Sequence, residues 1–168
     1  MALSMYQASV PAFQRTLKAL DAILDKASAN AAERKIDSAV LTAARLAPDM
    51  FTLARQVQLA SDHAKGCPAR LAGVPVPSFD DTEQTFPELK ARIHKTLDFI
   101  GSLKPEQIDG SEGRDISLKA GPRELSFKGQ EYLVLFALPN FYFHAATAYD
   151  ILRHNGVPVG KLDFLGGV

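Results

Sequence analysis

Gln130-Glu-Tyr-Leu-Val-Leu-Phe-Ala-Leu-Pro-Asn-Phe-Tyr-Phe-His-Ala-Ala-Thr-Ala-Tyr-Asp-Ile-Leu-Arg-His-Asn155 is long, aromatic and apolar on several sides. A helix that is apolar nearly all round belongs in the middle of a core, so this stretch predicts a central, buried helix. Pro139 removes one backbone donor and predicts a kink, and Gly156 suits the left-handed position that ends a helix. Just upstream the period changes. Ile116 and Leu118 alternate with polar residues, Gly121-Pro122 makes a turn, and Leu125 and Phe127 alternate again, predicting a short hairpin between Pro105 and Gly129.

Further upstream the pattern is helical throughout. Thr85-Phe-Pro-Glu88 has the Thr-x-x-Glu form of a capping box, and Phe86, Leu89, Ile93, Leu97, Ile100 and Leu103 follow as one apolar stripe. Pro48, with Asp49 beside it, is expected to open an earlier helix carrying Met50, Leu53, Val57, Ala60, Ala64 and Leu71, which Gly73 and Pro75 stop. Ser4 is expected to cap a first helix that runs to about Ala27, with a kink or a late start at Pro11. Ser28 to Lys35 then reads as a connection and Ser38 to Leu46 as a short helix. The tail from Val157 to Val168 can pack on the helices or on a second subunit. Four long helices with short links predict an all-α chain: a four-helix bundle with a small β-hairpin inserted before the last helix, as a single domain over residues 1–168.

Composition narrows the function classes. With 168 residues and 46% hydrophobic content the chain can bury a core without staples. Nineteen basic residues balance nineteen acidic ones, so nothing draws it to nucleic acid or to an anionic membrane. One cysteine, Cys67, allows no internal disulfide. The first ten residues carry no basic segment and no sustained apolar run, and the apolar stretch Tyr132 to Phe143 is well short of a bilayer span of about 20 residues. A soluble, cytoplasmic protein is the expectation.

No phosphate loop, His-Glu-x-x-His helix, Gly-x-Ser-x-Gly elbow or Cys-x-x-Cys pair is present. Cys67 reads as a helix-packing residue and His94 as a solvated one. His144 lies between Phe143 and Ala145, where an imidazole without a partner would carry a desolvation cost, so it needs one. Asn140, one turn earlier on the same face, either mends the backbone break at Pro139 or shares a polar seam with His144. Asp49, Gln56 and His63 are spaced by seven on the second helix and lie along one edge.

Arg45-Leu-Ala-Pro-Asp-Met50, Arg55-Gln-Val-Gln58, Leu138-Pro-Asn-Phe-Tyr-Phe-His144, Leu152-Arg-His-Asn-Gly-Val157 and the ending through Gly166 resemble a bacterial family of unknown function within the DinB/YfiT-like metalloenzyme superfamily. The resemblance covers nearly the whole chain. It implies a DinB-like fold, a homodimer, and a divalent metal held by one histidine on the second long helix and two on the fourth. Those positions fall here on Gln56, Asn140 and His144. Two amides and one imidazole make a poor site for zinc, which prefers imidazole or thiolate. The expectation is therefore a degenerate metal site, serving as a pocket for a small polar ligand around Gln56, Asn140 and His144. Two alternatives stand beside it. One is a metal-dependent hydrolase or thiol transferase using Zn²⁺, Ni²⁺ or Mn²⁺, with Asp49 or His63 replacing a lost ligand. The other is a non-catalytic structural or dimerisation module.

Overall fold

The computed structural model describes residues 3–167. Four long helices, α1 (Met5–Glu33), α3 (Leu53–Ala72), α4 (Phe86–Gly101) and α7 (Leu138–His154), pack around one apolar core, and α2 (Ser38–Thr42), α5 (Pro105–Ile108), α6 (Gly129–Glu131) and α8 (Lys161–Phe164) are short. α3 lies against both α7 and α4, and α1 closes the circuit against α4 and α7. Phe13, Leu17, Leu24, Val57, Leu89, Ile93, Phe141 and Ile151 are fully buried between them.

The caps explain where most helices begin and end. The Ser4 hydroxyl accepts from the Gln7 amide while Gln7 reaches back to Ser4, and Thr85 and Glu88 make the same reciprocal pair at α4. After α7, Val157 N–H reaches Leu152 O and Gly156 N–H reaches Arg153 O, with Gly156 at φ 84°. That is the paired hydrogen bonding of a Schellman stop, and it needs the glycine. The hairpin is as expected: β1 (Asp115–Ala120) pairs antiparallel with β2 (Arg123–Lys128), with Ile116 opposite Phe127 and Leu118 opposite Leu125. Gly121, at φ 61°, takes the corner ahead of Pro122.

Three boundaries differ from expectation. α2 ends at Thr42 rather than at Leu46. α1 begins at Met5 behind the expected Ser4 cap, with Pro11 inside it, but continues past Ala27 to Glu33, because Ala27 and Ala31 still face the core. It stops at Lys35, a residue with a side chain at φ 56°, so no glycine marks the end. α3 begins at Leu53, not at Pro48: Thr52 is its cap, and Pro48 and Asp49 form a turn before it. Asp49 is therefore not at the helix end it was expected to complement.

The segment ahead of Pro139 is a π-helix, Tyr132–Ala137, running directly into α7. Its wider i to i+5 bonds, such as Leu138 N–H to Leu133 O, make room where a proline cannot donate. The tail packs on the protein's own helices: Arg15 donates to Leu165 O at 2.9 Å, Lys26 pairs with Asp163 at 2.7 Å, and Phe164 meets Tyr149 edge-on.

Candidate functional site

The α3–α7 contact brings Gln56 and His144 together. His144 Nδ1 lies 2.8 Å from Gln56 Oε1, and the two side chains are 8% and 1% exposed. Gln56 Nε2 donates to Phe51 O at 3.4 Å. A backbone carbonyl can only accept, so this contact fixes the amide with its oxygen toward His144, and that oxygen can only accept in turn. His144 Nδ1 therefore carries the proton and Nε2 keeps its lone pair. Among the described residues Nε2 has no hydrogen-bond partner. An imidazole oriented through one nitrogen, with the other free, is suited to accept a hydrogen bond or a proton, or to ligate a metal.

His63, two turns along α3 from Gln56, stacks on His144 with ring centroids 5.5 Å apart and planes 17° from parallel. Phe143 lies edge-on to His144 at 5.4 Å, and Phe136 of the π segment contacts His63 at 6.0 Å. Phe136 continues into Tyr132 and into Phe127 of the hairpin, so an aromatic ladder joins the hairpin to the histidine pair. The site is thus built from three elements.

Burial lowers the pKa of both imidazoles. His63 falls from 6.5 to about 4, through desolvation first, then His144, Arg70 and Lys65, with Asp62 opposing. His144 is lowered by desolvation and by Arg55. Both rings are neutral at pH 7. The unfolded chain takes up a proton on His63 near pH 6.5 and the folded chain only near pH 4. Stability linked to this group is therefore full above about pH 7 and falls away as the pH drops from 6.5 toward 4. At about 1.4 kcal/mol per pH unit, with allowance for the part of the ring that water reaches, about 2 kcal/mol should be gone by pH 4.5. Urea unfolding at pH 7.5 and pH 4.5 checks this, and His63→Phe should remove most of the difference relative to wild type.

Asn140 sits one turn before His144, but its amide nitrogen donates to Phe136 O at 2.7 Å. That donor is committed to the backbone beside Pro139. Asp49 is exposed in the turn before α3. Cys67 is fully buried and its thiol is pushed far above the ordinary range by desolvation, which makes it a packing residue. His94 is exposed and lies 3.0 Å from Asp21. The sequence spacing of Gln56 and His63 already placed both on one edge of α3; the stacking on His144 needed three dimensions.

A metal fits this donor set poorly. Among the described residues no group of three or more His, Cys, Asp or Glu side chains is arranged to hold an ion. The histidine pair supplies two neutral rings, and the Gln56 oxygen is already the acceptor for His144. Zinc sites take three or four strong donors.

No described helix is long and apolar enough to cross a membrane. The family model described as "Domain of unknown function (DUF1993)" matches residues 5–165. The crystal structure of a DinB family member protein from Shewanella denitrificans is 42% identical, covers 97% of this chain and 92% of its own, and superposes with a TM-score of 0.87. No curated protein matches the chain. At that coverage the chain belongs to the DUF1993 family, a domain of unknown function within the DinB-like superfamily.

Proposed function

We propose that the protein is a cytoplasmic, DinB-type four-helix bundle in which the metal positions of the superfamily have become a binding site for a small polar ligand. Gln56 and His144 form the site, with Asn140 at its edge and His63 as its aromatic floor. The observation that carries this reading is the hydrogen bond from His144 Nδ1 to Gln56, which leaves Nε2 oriented and unengaged. The ligand chemistry that follows is an N–H or O–H donor directed at a neutral imidazole. His144→Ala removes the acceptor, and His144→Gln keeps a polar side chain without the aromatic ring.

The same geometry makes the inherited metal positions testable by restoration. Wild type purified without chelator should contain well under one metal per chain, and Zn²⁺, Ni²⁺ or Mn²⁺ should leave its Tm unchanged. Gln56→His/Asn140→His, which returns imidazoles to both amide positions, should bind Zn²⁺ near one per chain and gain several degrees in Tm. Metal at one per chain in wild type, lost in His144→Ala, would instead support the metal-dependent hydrolase or thiol transferase, with His63 as second ligand.

A dimerisation role has its own support. Val134, Leu135, Tyr142 and Phe143 are exposed along the π segment and α7, and a homodimer would cover them. Sedimentation equilibrium of wild type and Leu135→Glu/Phe143→Glu decides it: a dimer that the double variant dissociates supports the role, and a monomeric wild type removes it.

A further inference from the structure

A polar concavity lies where α3 meets the α2 region and the α3–α4 loop. A cleft of about 340 Å³ is bounded by Ala39, Thr42 and Ala43 of the α2 region, by Thr52, Ala54, Arg55 and Gln58 of α3, and by Glu83 and Gln84 of the α3–α4 loop. Its volume is at the lower end of the range for small-ligand sites, about 300–1,000 Å³.

The polar groups in its wall are fixed by one another. Arg55 Nη1 donates to Gln58 Oε1 at 3.1 Å and also pairs with Asp81. Gln58, only 4% exposed, passes its own amide N–H to Glu83 Oε2 at 3.0 Å. Glu83 and the second oxygen of Asp81 are held by the buried Arg92, at 3.1 Å and 3.0 Å. Each carboxylate near the cleft therefore already has a cationic partner, and Gln58 is satisfied at both ends.

Arg55 is not. Both hydrogen bonds of its guanidinium use Nη1, its carbon lies 5.9 Å from the centroid of the Phe51 ring, and among the described residues Nε and Nη2 have no hydrogen-bond partner. Those two nitrogens form the edge of the guanidinium that takes a carboxylate through two parallel hydrogen bonds. The group is about one-third exposed, since its side chain retains 33% of its accessible surface, so a ligand can reach it. Thr42, Thr52, Gln84 and the three alanines complete the wall, the Thr42 hydroxyl donating to Ala39 O and the Thr52 hydroxyl accepting from the Arg55 N–H.

We propose that this cleft binds a small organic carboxylate, its carboxyl group paired with the Nε–Nη2 edge of Arg55. Gln58 and Asp81 act as positioning residues that hold the guanidinium from its other nitrogen. The site is independent of the Gln56–His144 reading and stands or falls without it.

Isothermal titration with sodium acetate, succinate and benzoate, each against sodium chloride and the matching uncharged amide, tests the proposal on the full chain. At least one carboxylate should bind at one site per chain while its amide and chloride do not. Arg55→Gln should weaken that binding tenfold or more, and Arg55→Lys should weaken it nearly as much, since lysine keeps the charge and loses the fork. Ala43→Tyr, which fills the cleft from α2 without touching Arg55, should block it, and His144→Gln should leave it intact. Circular dichroism confirms that each variant is folded. Carboxylates that bind no better than their amides, binding indifferent to Arg55→Gln, or binding abolished by His144→Gln and not by Ala43→Tyr would each overturn the proposal.

Discussion

Gly129→Ala is expected to destabilise the protein by about 3 kcal/mol, the upper end of what overpacking usually costs. A Cβ built on Gly129 would lie 2.0 Å from Ser111 O and 3.0 Å from its carbonyl carbon, and Gly129 is buried. The obstacle is backbone, which cannot swing aside as the end of a side chain can. The chain here is held on both sides: Gln130 N–H donates to Glu112 O, and Ser111 N–H donates to Ile108 O. Relief would have to separate the hairpin's return strand from the segment after α5, and would carry the start of the π segment with it. Urea unfolding measures the loss. Gly113→Ala, where a Cβ meets nothing within 4 Å, is the control and should be neutral or slightly stabilising. Equal stability for the two variants would show that residues 111 and 129 are not in close contact.

Local chemistry made much of this fold legible in the sequence. The hairpin was readable because alternation at Ile116, Leu118, Leu125 and Phe127 and the Gly121-Pro122 corner point to one register. Thr85 with Glu88 announced α4, and Gly156 announced the end of α7, because each residue type satisfies a specific unpaired backbone group. The misplaced boundaries lacked such a signal. α1 outruns its large apolar residues on buried alanines and ends on Lys35, a residue type that does not advertise a left-handed conformation. Pro48 and Asp49 looked like a helix start, and the true cap was Thr52. The π segment could be inferred only as a disturbance near Pro139.

The site was legible in part for the same reason. A histidine among Phe141, Phe143 and Ala145 had to find a partner, and Gln56 supplies it. Asn140 was open to two readings, and its hydrogen bond to Phe136 O matches the one in which it supports the helix beside the proline. Arg92 gave no such signal. It lies at the edge of the apolar stripe of α4, one turn after Leu89, and the loop after α3 folds over it and leaves the side chain 1% exposed. A helix period reports which face meets its neighbouring helices. It says nothing of a loop that returns to cover the edge of that face.

Arg92→Ala should accordingly lower stability by about 3 kcal/mol, the low end for breaking a buried ion pair because two of its partners remain partly in water. The guanidinium joins Asp62 at 2.8 Å, Asp81 at 3.0 Å and Glu83 at 3.1 Å, and these carboxylates retain 33%, 40% and 14% of their side-chain exposure. It also donates to Asp80 O at 3.0 Å, while Phe79 lies beneath Arg92, Lys65 and Lys95. One side chain thus ties residues 79–83 to α3 and α4. Truncating it removes the tie and leaves Glu83, the least exposed of the three, without its cation. Arg92→Lys should lose roughly half as much, since an ammonium retains the charge but cannot span three carboxylates in one plane. Unfolding in urea gives the size of the effect, and limited proteolysis locates it: Arg92→Ala should be cut first between Val74 and Thr85, with α3 and α4 still intact. Cleavage elsewhere, or a loss below about 1 kcal/mol, would mean that the apolar core and not this ionic tie holds the loop in place.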